Sequence, residues 1–248
     1  MSPMAVLSTF DFISSFSVGT TPRYCISFLC FMEDFNMTLQ NFIVFEGIDG
    51  AGTTTQIRLL RERTEGKLFL FTTEPTSAPT GTFLRSMLSG KIPLIPQTAA
   101  YLFAADRSEH VDGPLVIDGK DTLVTGVKTA CDQGYTVVSD RYLFSSLAYQ
   151  SIDCGMDLPA RLNEQFALPR LLFFFDIDPA VSLARVNRRG QTEIYEKQEF
   201  QNRTRDAYEK VLEHYQSLNT GMKIIRLDAT QSPGQISDFI WKHIQANA

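Results

Sequence analysis

The sequence predicts an α/β protein with a five-stranded parallel sheet flanked by helices. Two observations carry this prediction. Short, almost uniformly apolar runs, which are typical of strands covered on both faces, alternate with longer segments of helical periodicity. Strands that alternate with helices imply parallel pairing, because each helix returns the chain to the same end of the sheet. With 248 residues and 44% hydrophobic composition, the chain is large enough to bury such a core.

The predicted strands are short apolar runs, and the segments between them have helix-compatible spacing. The strands are expected at 41–46, 67–72, 135–139, 170–176 and 222–227. Helices are expected at 53–63, 81–88, 97–110, 121–133, 145–150, 179–188, 196–216 and 233–245. No strand is predicted between Thr73 and Gly134, where helical stretches dominate.

Residues 1–40 differ in composition from the rest, being rich in Ser, Thr and Phe. We expect a non-essential N-terminal extension that is disordered or packed, or a misassigned start, since Met32 and Met37 shortly precede the first strand. A secretory signal would need a basic start, which is missing here. The folded domain is therefore expected to span 41–248.

Composition excludes several classes of partner. The net charge is −5, so a broad basic face for nucleic acid is not expected. The four cysteines form no C-x-x-C pair and the three histidines are scattered, which argues against a zinc site and favours a reduced, cytoplasmic protein. No apolar run approaches the ~20 residues that a membrane helix needs, so no membrane partner is expected.

A glycine-rich loop between the first strand and the first helix is the strongest local signal. Such a loop turns its backbone N–H groups toward phosphate oxygens, and the helix N-terminus adds a favourable partial charge. The predicted phosphate-binding residues are Gly47, Ile48, Asp49, Gly50, Ala51, Gly52, Thr53, Thr54 and Thr55. Thr54 occupies the position of the magnesium-binding hydroxyl.

One position departs from the phosphate-loop pattern. The pattern requires lysine where this chain has Thr53. A lysine contact to phosphate at about 4 Å is worth roughly 4 kcal/mol at an effective dielectric near 20, on the order of a thousandfold in rate. Either another cation compensates for Thr53, or catalysis is impaired.

Asp140 and Arg141 directly follow the predicted strand 135–139. A carboxylate at the carboxyl end of a strand beside a phosphate loop is placed to join a magnesium shell. Arg141 has the planar fork that binds phosphate through two hydrogen bonds. We therefore predict Thr54 and Asp140 as Mg²⁺ ligands, and Asp140 and Arg141 as catalytic residues.

Five segments, in this order, carry a resemblance to a known family. They are FEGIDGAGTTTQ (Phe45–Gln56), TEP with TGTFLR (Thr73–Arg85), LFAADRSEH (Leu102–His110), DRYLFSSLAYQ (Asp140–Gln150) and RLDATQ (Arg226–Gln231). From about Asn41 onward the chain resembles the thymidylate (dTMP) kinases, which are P-loop nucleoside monophosphate kinases with a helical lid. The resemblance implies ATP as phosphoryl donor, dTMP as acceptor, Mg²⁺ as cofactor and a homodimer.

The resemblance also implies roles for residues that would bind the base and sugar of dTMP. Phe103 is expected to stack on thymine, and Arg107, four residues on, to hydrogen-bond a base carbonyl. Asp49 is expected to meet the 3′-hydroxyl, while Tyr149 crowds the 2′ position. Further lining residues of the same pocket are Ser146 and Gln150.

Arg85 and Arg141 resemble the pair that holds the dTMP phosphate. Glu74 corresponds to the acidic residue of the loop after the second strand, where the family usually has Arg before it and this chain has Thr73. This replacement removes a second cation.

The lid is expected at about 185–197. Arg185, Arg188 and Arg189 share one helical face there, and in the family such a lid closes over the ATP phosphates. We predict these three arginines as catalytic residues, with Arg188 or Arg189 supplying the charge that Thr53 lacks and Lys197 in reserve.

The sequence leaves three functions open. The first is ATP-dependent phosphorylation of dTMP to dTDP in dTTP biosynthesis. The second is a non-catalytic homologue that still binds thymidine nucleotides, which the absent lysine favours. The third is a kinase for a related deoxynucleoside or monophosphate. A contact between Arg85 and an acceptor phosphate would argue against a deoxynucleoside as the acceptor.

Overall fold

The fold is built on a seven-stranded sheet in the computed structural model, which describes residues 38–119, 121–187 and 198–247. The strands are β1 (Thr38–Gly47), β2 (Phe69–Thr73), β3 (Val116–Asp118), β4 (Thr122–Thr125), β5 (Thr136–Asp140), β6 (Leu168–Asp176) and β7 (Lys223–Asp228). Their order across the sheet is β3-β4-β2-β5-β1-β6-β7. Neighbouring strands are parallel except β3 and β4, which are antiparallel.

Helices connect the strands and account for most of the remaining described residues. They are α1 (Thr53–Arg63), α2 (Pro79–Leu88), α3 (Pro96–Asp112), α4 (Val127–Asp132), α5 (Leu143–Cys154), α6 (Asp157–Asn163), α7 (Pro179–Asn187), α8 (Gln198–Ser217) and α9 (Pro233–Ala246). Within the described ranges, no helix is both long enough and apolar enough to cross a membrane. Residues 1–37 of the expected extension lie outside those ranges.

The prediction of five parallel strands is wrong in one respect, because β3 and β4 make the sheet seven-stranded and mixed. The three residues of β3 are all exposed, and the apolar run at 115–117 is too short to indicate a strand by itself. The helix predicted at 121–133 is wrong over β4, whose residues are mostly β-branched and so favour a strand. Gly126, with φ of 89°, separates β4 from α4, where the helix begins.

The centre of the sheet explains where the functional site lies. Successive residues of a strand point to opposite faces, and Phe42–Phe45 in β1 are all fully buried, so helices cover both faces there. Asp140, at the end of β5, is paired in register with Phe45 in β1 and Thr73 in β2. The carboxyl ends of these three strands, and the loops that follow them, therefore meet at one edge.

Candidate active site

A cavity of about 270 Å³ opens at this edge of the sheet. It is lined by all nine residues that the sequence assigns to the acceptor nucleotide, namely Asp49, Glu74, Arg85, Phe103, Arg107, Arg141, Ser146, Tyr149 and Gln150. Thr53, Thr54 and Asp140 line the same cavity. We call it the main cavity.

A second cavity, of about 280 Å³, shares Gly50 and Gly52 with the main cavity. Its lining includes Ala51, Thr55 and Arg185. Arg185, on α7, donates a hydrogen bond to the carbonyl oxygen of Ala229 at 3.1 Å. Of the predicted basic lid face, Arg185 is therefore placed beside this second cavity. The predicted catalytic residues Arg188 and Arg189, and the reserve Lys197, lie outside the described residues.

The glycine-rich loop has the geometry of a phosphate cradle. Gly50 and Gly52 have φ of 83° and 103°, in the left-handed region that favours glycine, and α1 begins directly afterwards at Thr53. At Gly50 a Cβ atom would also lie 2.6 Å from the carbonyl oxygen of Ser182. The first turn of α1, Thr53–Gln56, is free of acidic residues, so its positive end is available to an anion.

Thr54 and Asp140 form a pair that fits a divalent cation. The Thr54 hydroxyl donates to Oδ2 of Asp140 at 2.9 Å. Oδ1 of Asp140 is buried and has no hydrogen-bond partner among the described residues. A hydroxyl beside a carboxylate with a free buried oxygen is an oxygen donor set of the kind that Mg²⁺ prefers.

Arg141 is anchored over the loop by several groups. It adopts φ of 73° and its guanidinium pairs with the Asp49 carboxylate. It also donates to the carbonyl oxygen of Gly47 at 3.2 Å and to the Ser145 hydroxyl at 3.1 Å, and it lies 5.2 Å from the centre of the Tyr149 ring. Burial opposes the charge, but Tyr149 and Asp49 raise the pKa of Arg141 well above its ordinary value, so the cation is permanent.

Glu74 and Arg107 form a second, fully buried ion pair in the main cavity, with 2.6 Å between Oε2 and the guanidinium. Arg107 also donates to the Ser146 hydroxyl at 3.0 Å and to Oδ1 of Asn163. Its Nε has no hydrogen-bond partner in the described part of the chain. Both oxygens of Glu74 already accept from protein groups, the second from His110 at 2.8 Å.

The remaining acceptor-side residues differ in exposure. Phe103 is half-buried on α3, four residues before Arg107 and therefore on the same helix face. Gln150 is buried, and its Oε1 has no partner among the described residues. Arg85 is exposed on α2, and its guanidinium donates to the carbonyl oxygen of Pro75.

Residues outside the predicted set also hold this site in place. Gln201, on α8, donates to Oδ2 of Asp49 at 2.8 Å, and the Ser182 hydroxyl donates to the Asp49 carbonyl oxygen. Glu46 is completely buried and accepts four hydrogen bonds. A charged residue ending the apolar run at 41–46 was the available signal for Glu46, whereas Gln201 has no local signal.

Two cavities that share one phosphate-type loop suit the transfer of a phosphoryl group from a donor in one to an acceptor in the other. The fold and the site thus define a P-loop phosphotransferase. The chain belongs to the thymidylate kinase family, whose sequence profile matches residues 45–240. This match confirms the resemblance and places the protein among the nucleoside monophosphate kinases.

Individual relatives agree with this placement. A protein of Treponema pallidum (strain Nichols) is 37% identical over 209 residues, covering 84% of this chain and 96% of its own length. The thymidylate kinase of Leptospira interrogans serovar copenhageni is 35% identical over 201 residues, covering 79% of this chain and 89% of its own. A solved thymidylate kinase of Candida albicans shares the fold, with a TM-score of 0.67 at 21% identity, covering 86% of this chain and 92% of that one.

Proposed function

We propose that the protein transfers the γ-phosphoryl group of ATP to dTMP, giving dTDP and ADP, in thymidine nucleotide (dTTP) biosynthesis. Membership of the thymidylate kinase family supports this reaction. The observation that carries it is the main cavity, which joins the phosphate loop to three arginines and a half-buried aromatic ring.

The main cavity offers matched partners to a thymine nucleotide. Arg107 has N–H groups to spare for a base carbonyl, and the buried Oε1 of Gln150 is a free acceptor for the ring N–H. Phe103 supplies a face on which the base stacks.

Sugar and phosphate would be held closer to the loop. Asp49 accepts from the 3′-hydroxyl, and the Tyr149 ring takes the space that a 2′-hydroxyl would need. Arg85 and Arg141 would hold the phosphate, and Arg141 is already held rigidly against the loop.

The transfer needs alignment and charge neutralisation more than covalent catalysis. An oxygen of the dTMP phosphate, ionised at neutral pH, forms the new bond to the γ-phosphorus as the bond to the bridging oxygen of ADP breaks. Thr54 and Asp140 would hold Mg²⁺, which supplies charge neutralisation to the ATP phosphates when bound. The loop N–H groups orient the same phosphates, and Arg141 fixes the acceptor.

Thr53 requires a compensating cation, and we assign this role to a lid arginine, Arg188 or Arg189. Replacing Arg185, Arg188 and Arg189 by Ala one at a time should lower kcat at least about a hundredfold at one position. If each replacement changes kcat only a few-fold, the lid does not supply the missing charge.

The test of the function is a coupled ADP-release assay with ATP, Mg²⁺ and dTMP, with the product identified by mass. Wild-type turnover of about 1–100 per second establishes an active kinase in which Thr53 is compensated. The matched variants are Thr53→Lys and Thr53→Met, since Met has a comparable length without the charge.

Thr53 also favours the alternative of a homologue that binds thymidine nucleotides without turnover. That alternative requires dTMP binding without product in the wild type, and rescue by Thr53→Lys but not by Thr53→Met. Turnover of another monophosphate or a deoxynucleoside in preference to dTMP would favour the third function.

Assembly and location complete the proposal. We expect a homodimer formed by helix faces within 97–150, where Tyr101 on α3 is 56% exposed. Light scattering on the purified chain checks the dimer, and replacing Tyr101 by Glu should weaken it. We expect a cytoplasmic location, which cell fractionation checks.

A further inference from the structure

A buried chain of side chains runs from β2 to the base-reading end of the main cavity. The Thr72 hydroxyl lies 2.7 Å from Nε2 of His110, and Nδ1 of His110 lies 2.8 Å from Oε1 of Glu74. Oε2 of Glu74 lies 2.6 Å from the Arg107 guanidinium. All four residues are at most 5% exposed. Glu74 and Arg107 line the main cavity, whereas Thr72 and His110 lie behind them.

The hydrogen bond between His110 and Glu74 has only one possible direction. A carboxylate ion-paired with Arg107 can only accept, so Nδ1 of His110 donates to Glu74. Nε2 of His110 lies within hydrogen-bond distance of the Thr72 hydroxyl, which can either donate or accept. Thr72 lies in β2 and Glu74 follows that strand by one residue. Because they are two positions apart along the extended chain, their side chains point to the same side, where the imidazole ring lies between them.

Arg107 is also held from its other side. Asn163, on α6, donates from Nδ2 to the carbonyl oxygen of Pro159 at 2.8 Å, which aims its Oδ1 at Arg107. One guanidinium nitrogen thus contacts Asn163, and the other contacts Glu74 and Ser146. Arg107 is only 1% exposed, so its N–H donors meet a ligand in one orientation only. A small rotation of Glu74 would shift the guanidinium and turn these donors away from the ligand.

We propose that His110 is a positioning residue for base selection, which locks Glu74 and thereby aims Arg107 at the base carbonyl. The inference rests on the proposed function, since it assumes a pyrimidine nucleotide in the main cavity. Cytosine carries an amino group where thymine carries its C4 carbonyl oxygen. A correctly aimed Arg107 therefore donates a hydrogen bond to thymine but meets another donor on cytosine. A displaced Arg107 discriminates less between the two bases.

The test compares His110→Asn with His110→Gln. The Asn amide nitrogen is attached as Nδ1 is, and so can still donate to Glu74, whereas the longer Gln amide reaches toward Thr72 and leaves Glu74 unlocked. We expect His110→Asn to stay within about threefold of wild type in KM for dTMP. We expect His110→Gln to raise that KM at least about tenfold, with kcat changed less, and to lower the dTMP-to-dCMP ratio of kcat/KM at least about tenfold.

A matched control separates positioning from loss of packing. Val111 is the next residue on α3 and is buried in the main core, so Val111→Ala should lower the unfolding temperature and leave the dTMP-to-dCMP ratio unchanged. Equal ratios for His110→Asn, His110→Gln and wild type would overturn the proposal, as would a ratio lowered equally by both His110 variants and Val111→Ala.

Equilibrium binding of dTMP and dCMP keeps the test independent of turnover. If the wild type binds dTMP but makes no dTDP, the catalytic function fails while the binding ratios of the His110 variants still decide the inference. If His110→Gln does not fold, His110→Met decides, because Met fills similar space without any donor toward Glu74 and should lower the ratio at least about threefold. An unchanged ratio there overturns the inference.

Discussion

Glu46 should make the stability of this protein depend on pH in a way that one substitution removes. Its carboxylate is completely buried and accepts from the backbone N–H groups of Tyr142 and Ser145 and from the hydroxyls of Ser145 and Tyr208, at 2.6–3.1 Å. Desolvation raises the pKa of Glu46 from 4.5 to about 7, against the opposing effects of these hydrogen bonds and of Arg141.

The sign follows from which state holds the proton more tightly. The folded state keeps the Glu46 proton up to pH about 7, while the unfolded chain loses it near pH 4.5. The contribution of Glu46 to stability is therefore full below pH 4.5 and is lost as the pH rises through about 7. At about 1.4 kcal/mol per pKa unit, the loss is about 3 kcal/mol.

Glu46→Gln removes this titration, and any pH-independent cost of the amide cancels when unfolding free energies are compared across pH. We expect the stability of the variant relative to wild type to rise by about 3 kcal/mol between pH 4.5 and pH 8, measured by urea unfolding. Glu62→Gln is the control, because Glu62 is 60% exposed and pairs with Arg58 at the surface. Parallel curves for wild type and Glu46→Gln would refute the reasoning.

Three further predictions concern the loop and the acceptor side. Asp140→Asn should lower kcat about a hundredfold and raise the Mg²⁺ concentration for half-maximal rate, checked by titrating Mg²⁺ at saturating ATP. Arg85→Ala should raise KM for dTMP about tenfold with little effect on KM for ATP, which steady-state kinetics with each substrate varied would show. Gly50→Ala should destabilise the fold by about 1–3 kcal/mol, since φ is 83° and the new Cβ meets the Ser182 carbonyl oxygen, and thermal unfolding measures this.

The centre of the fold could be predicted from the sequence because its signal is local. A strand such as Leu168–Asp176, buried on both faces, must be apolar at nearly every position, and few other structures demand this. The edge strand Val116–Asp118 could not be predicted, since exposed residues at the edge are under no such constraint. For β4, the β-branched residues favour a strand, but the helical spacing that follows them belongs only to Val127–Asp132.

The residues of the site also divide into those that a local motif reveals and those that it does not. Residues that we assign to the ligands lie in contiguous motifs such as DRYLFSSLAYQ, so their types and spacing can be recognised, and the structure gathers them in one cavity. Residues that hold those side chains come from elsewhere in the chain. Gln201 reaches Asp49 across 152 positions, and Asn163 reaches Arg107 across 56, and neither pair has a local pattern. Such contacts depend on how α6 and α8 pack, which the sequence pattern of either helix leaves open.

The charge balance of the main cavity decides how much the absence of a lysine at Thr53 matters. Three acidic side chains line the cavity, Asp49, Glu74 and Asp140, against three arginines. Two of those arginines are already ion-paired, Arg107 with Glu74 and Arg141 with Asp49. The described lining is therefore close to neutral before any phosphate enters, and the loop N–H groups carry only partial charges. Because donor and acceptor phosphates bring several negative charges together, turnover at ordinary rates requires cations from outside this lining, and the lid arginines are the residues whose removal should reveal it.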